Sequence, residues 1–81
     1  MNPDPERDPF NTAVAAVLNR LYVADGSQMT RILDEAGMKK NTLLRYLSGE
    51  RDIRVVELRK IAAALNADVA DIVAEAEGHL K

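Results

Sequence analysis

The chain has 81 residues, enough for one hydrophobic core and too few for two. Hydrophobic residues make up 47% of it but aromatics only 4%, so the core must come from Leu, Ile, Val and Ala; the lack of cysteine excludes disulfides, thiolate metal sites and cysteine nucleophiles. A formal net charge of −2 speaks against a protein that simply coats nucleic acid, yet the charge is uneven: residues 1–19 carry one base and three acids, 20–60 nine and six, 61–81 one and four.

All three prolines fall in the first nine residues, so 1–9 reads as a flexible tail and the domain as 10–77, with 78–81 a second tail. The N-terminal stretch is polar and has no apolar secretion-signal region, and no segment approaches the ~18 apolar residues of a membrane span. A soluble, cytoplasmic protein with no membrane association is the expectation. The first predicted helix covers 10–23, where Phe10, Ala13, Val14, Val17, Leu18 and Leu21 form an amphipathic stripe. Either Asp8, before Pro9, or Asn11 suits its cap.

Ala24-Asp25-Gly26 ends that helix, and Ser27 offers a side-chain oxygen to start a second over 27–36, with Met29, Ile32, Leu33 and Ala36 at apolar spacing. Gly37 stands where a left-handed turn residue is wanted. A third helix over 39–48 turns Leu43, Tyr46 and Leu47 inward, and Gly49-Glu50-Arg51-Asp52 makes a polar loop. Leu58, Ile61, Ala62 and Leu65 mark a fourth helix over 55–65, stopped at Asn66. Asp68 caps a fifth over 69–77, with Val69, Ile72, Val73 and Ala76 as its apolar face. The expected fold is all-α, with five helices.

The stretch Ser27–Leu65 carries the functional signal. A short glycine-containing turn between two helices at a steep angle is what sets a helix across a DNA groove. On the third helix, Lys40, Asn41, Leu44 and Arg45 face outward once Leu43 and Tyr46 face in. Asn pairs bidentately with adenine, Arg with guanine, and Leu44 suits a thymine methyl, so these four are the candidate base contacts. Lys39 at the helix start, and Arg51 and Arg54 flanking the loop, suit phosphates. Ser27 and Gln28, with the free N–H groups opening the second helix, suit another. Glu50 and Asp52 lie among these cations and oppose them unless they pair with the arginines. An ordinary solvated helix face is the alternative for the cluster.

Gly37 and Gly49, twelve residues apart, bracket Met38-Lys39-Lys40-Asn41-Thr42-Leu43-Leu44-Arg45-Tyr46-Leu47-Ser48, and Val56–Asn66 follows. In this the chain resembles the phage repressor and Cro-like, or XRE-type, helix-turn-helix family over about residues 13–77. The resemblance implies a lambda-repressor-like DNA-binding domain: a transcriptional regulator, a repressor in the first instance, that binds double-stranded DNA as a homodimer. Counting back from Gly37 without a gap puts Gln28 at the family's capping position and Met29 at its DNA-contacting Gln; matching letters puts Ser27 and Gln28 there. Leu47 stands where many members carry Glu.

A single helix-turn-helix on an acidic domain makes few contacts, which favours two copies on half-sites ~34–36 Å apart. Val69, Val73, Ala76 and Leu80 are the expected dimer surface. The alternative function is an antitoxin or adaptor whose partner is a protein, a toxin or a larger regulator. A plain dimerising bundle is a third. His79 has only Glu75 nearby, so no metal is expected; no cofactor is implied, and no nucleophile–base pairing suggests an enzyme.

Overall fold

The computed structural model describes residues 8–26 and 29–80. Among these there are five helices and no strand: α1 Pro9–Asp25, α2 Met29–Ala36, α3 Lys40–Leu47, α4 Val55–Ala64 and α5 Val69–His79. The Asp8 carboxylate accepts the Phe10 N–H at 2.9 Å and Pro9 occupies the first turn, which resolves the cap of α1 in favour of Asp8. Asp68 does the same for α5, accepting the Ala70 N–H at 2.8 Å. Asn66, at φ 55°, closes α4.

Two helix ends run past expectation. α1 reaches Asp25, and α5 reaches His79, so residues 78 and 79 are helix and not tail. Gly78 costs only ~1 kcal/mol relative to Ala inside a helix, too little to stop one, and His79 sits favourably in the last turn.

α1 packs chiefly on α5 and α2 on α4, while α3 rests on both α1 and α2. The core joins Val17 and Leu18 of α1, Ile32 of α2, Leu43 of α3, Ile61 of α4 and Ile72 of α5, all essentially inaccessible. Each such side chain contributes roughly 1.5–3 kcal/mol. Polar clamps tie the layers: Arg20 makes a two-pronged pair with Glu75 across α1 and α5, through Nε at 2.9 Å and Nη2 at 2.5 Å. Arg31 of α2 reaches Asp25 at 3.1 Å, Glu35 at 2.8 Å and the carbonyl of Ala64 at 3.1 Å. Hydrogen bonding to Glu35 pushes the Arg31 guanidinium above its usual range against an opposing effect of burial, and the charges of Glu35 and Asp25 add to the rise.

The expected dimer surface does not survive as a unit. Ala76 is 0% exposed and belongs to the core, one turn after Ile72 on the inward face of α5, so it is unavailable to a partner. Val69 and Val73 are half-buried, and Leu80 is exposed beyond the end of the helix. The apolar spacing of α5 therefore mixes core and surface positions, which periodicity alone does not separate.

Candidate nucleic-acid interface

α2 and α3 are joined by Gly37, Met38 and Lys39 alone. Gly37 takes φ 65°, a conformation that costs a residue with a Cβ, and its N–H donates to the Leu33 carbonyl at 2.8 Å. The Met38 N–H donates to the same carbonyl at 3.2 Å, so the chain reverses within three residues. Lys39 is the N-cap of α3 and supplies no side-chain cap to the first-turn N–H groups, with Lys40 next in the helix.

Leu43, Tyr46 and Leu47 are buried, and this rotates Lys40, Asn41, Leu44 and Arg45 to the opposite, exposed face. Leu44 is 41% exposed. Asn41, Leu44 and Arg45 line one shallow recess with Ser48 and Glu50. All four anticipated base-contacting residues thus share the exposed face of α3. Arg45 Nε lies 4.0 Å from Glu50 Oε1, the outer limit of an ion pair, and both side chains are well exposed. A pair of this kind contributes about 0–1 kcal/mol and leaves Arg45 free to exchange partners.

The C-terminal end of α3 is held by residues that sequence spacing did not single out. Asn19 Nδ2 donates to the Leu47 carbonyl at 2.6 Å. Asn11, 9% exposed, donates through Nδ2 to the Arg51 carbonyl at 3.3 Å and accepts the Ile53 N–H through Oδ1 at 2.9 Å. Between them, Ala15 lies against Gly49, which takes φ 77°. Asn11, Ala15 and Asn19 are spaced at i, i+4 and i+8, one stripe of α1. The available signal was this amide–alanine–amide row on a helix otherwise rich in aliphatic residues. It fixes the backbone from which Arg51 and Arg54 project.

Lys39, Arg51 and Arg54 are all exposed near the two ends of α3. The Arg51 guanidinium lies over the Tyr46 ring, 5.8 Å from its centroid, so it is steered by a cation–π contact and not by Glu50 or Asp52. Arg54 is the N-cap of α4 and, among the described residues, has no ion partner. Ser27 and Gln28, the other anticipated phosphate contacts, lie outside the described residues. From Lys39 to Arg54, five cations stand against two carboxylates, which concentrates the positive charge of an acidic chain around one helix.

These features define an all-α, five-helix domain containing a helix-turn-helix. A solved structure with this fold is the crystal structure of the clp gene regulator ClgR from C. glutamicum, which superposes with a TM-score of 0.81 at 22% identity, over 89% of this chain and 94% of that one. No family model matches the chain, and no curated protein matches it in sequence.

Proposed function

We propose that the protein is a sequence-specific transcriptional regulator of the XRE type, a repressor acting in the cytoplasm as a homodimer, with α3 entering the major groove of double-stranded DNA. The observation that carries this reading is the exposed row Lys40, Asn41, Leu44 and Arg45, presented between two left-handed glycines on a helix whose other face is core. Asn41 and Arg45, one turn apart, supply the bidentate donors for adenine and guanine, and Leu44 an apolar contact for a thymine methyl. Lys39, Arg51 and Arg54 fall at the ends of that row, where phosphates flank a groove-bound helix. A fold shared with a gene regulator agrees with this. The reading involves no catalytic step and no cofactor.

Glu50 within the same recess favours a second reading, an antitoxin or adaptor whose α3 face meets a protein. Selection of bound sequences from random duplex DNA separates the two. The expected result is a defined consensus that loses preference at one position in Arg45→Ala, at a cost of ~1–3 kcal/mol in discrimination. Recovery of no consensus would remove the regulator reading.

A further inference from the structure

Glu50 is the one carboxylate in the recess that Asn41, Leu44, Arg45 and Ser48 line on α3, a place where a negative charge opposes phosphates. The backbone puts it there. After Gly49 turns at φ 77°, the Glu50 and Arg51 N–H groups both fold back onto the Arg45 carbonyl, at 3.1 and 3.3 Å. The Glu50 N–H also reaches the Ser48 hydroxyl oxygen at 3.3 Å, and that hydroxyl donates to the same Arg45 carbonyl at 3.1 Å. Residue 50 is thereby fixed beside residue 45, with Asn11 and Asn19 holding the strand of backbone on either side. Among the described residues, neither the Arg45 guanidinium nor the Glu50 carboxylate has another ion partner.

We propose that Glu50 is a specificity-determining residue that accepts from the N4 amino group of a cytosine whose guanine Arg45 reads, so that the two side chains together recognise one G·C pair; the inference rests on the DNA-binding reading above. A cation and an anion side by side match what that pair presents. In the major groove guanine offers two acceptors, N7 and O6, and cytosine offers the N4 donor. O6 and N4 are partners in the Watson–Crick pair and so lie within ~2.7–3.2 Å of each other. Arg45 Nε and Glu50 Oε1, 4.0 Å apart and both exposed, supply a donor and an acceptor at a comparable spacing. Their own pairing is loose and solvated, so DNA can open it. An A·T pair reverses the pattern at these two positions, setting the N6 donor against Arg45 and the O4 acceptor against Glu50, so both side chains meet their like. Glu50 therefore discriminates where it would otherwise only repel.

Selection from random duplex DNA, with binding measured on the selected site, tests this. The full chain is expected to return a G·C pair at the position whose preference Arg45→Ala loses. Glu50→Ala should relax that same pair, cutting the penalty for A·T by roughly 5- to 150-fold, the equivalent of ~1–3 kcal/mol. Glu50→Gln, which keeps an acceptor without the charge, should retain part of the preference. Tm should hold in both, because the turn uses the backbone of Glu50 and not its carboxylate. Replacing the cytosine of the selected site by a pyrimidinone without the N4 amino group leaves the guanine in place; it should weaken binding of the unaltered chain more than that of Glu50→Ala. The proposal is overturned if Glu50→Ala tightens binding to every sequence by one common factor with the consensus intact, as a carboxylate that merely opposes phosphates would. Equal losses for both chains on the modified duplex, or no G·C pair at the Arg45 position, overturn it as well. Absence of any consensus removes the regulator reading and this inference with it, whereas a consensus that Glu50→Ala leaves unaltered removes this inference alone.

Discussion

α2 and α3 are equally short helices lying on the same core, yet their charged faces are used in opposite ways. On α2, Arg31 is occupied with Asp25, Glu35 and the Ala64 carbonyl and so binds three helices together. At α3, Lys39 and Lys40 have no ion partner among the described residues, and Arg45 has only a distant one. Arg31 and Glu35 of α2 are committed to the fold, while the α3 cations remain available to a ligand. Charge on an exposed helix therefore carries information only once its partners are known.

The sharpest way to break the comparison is to remove what both helices stand on. Leu43→Ala empties a fully buried site beneath the α3 row and should cost ~2–5 kcal/mol, read as a lower denaturation midpoint, with loss of any DNA binding following from unfolding. Asn11→Ala should cost about 1–3 kcal/mol, since it strands the Ile53 N–H and the Arg51 carbonyl. It should also loosen residues 51–53, seen as faster amide exchange at Ile53, where Leu43→Ala speeds exchange throughout.

Arg31→Ala sharpens the contrast: Tm should fall by less than in Asn11→Ala, the loss should shrink at high salt, and sequence preference on DNA should be unchanged. Lys39→Ala should do the reverse and give the smallest effect. Tm should hold, binding should weaken evenly across sequences, and the slope of log affinity against log salt should drop by about 0.9. If Lys39→Ala instead lowers Tm, the α3 charges are structural and the contrast fails.

Much of the architecture was legible in the sequence because it rests on local rules. Apolar spacing placed the ends of all five helices to within two residues, and glycine or asparagine at Gly26, Gly37, Gly49 and Asn66 marked turns that do adopt positive φ. The outward row of α3 followed from knowing that Leu43 and Tyr46 point in. The lock on the end of α3 was not legible, because Asn11 and Asn19 lie 28 to 42 residues from the backbone groups they bind. Ala76 was misplaced for a related reason: an apolar residue on a helix wants burial, and its sequence does not say whether its own chain or a partner provides it.

Sequence alone determined the helical class, the turn positions and the identity of the residues on the exposed face of α3, since periodicity and backbone preference act over a few residues. Only the tertiary structure decided which charges are spent within the chain, which amides hold the α3–α4 loop, and that exposed Val55 at the start of α4 borders a groove. Those outcomes depend on side chains from distant segments meeting, which the fold alone arranges.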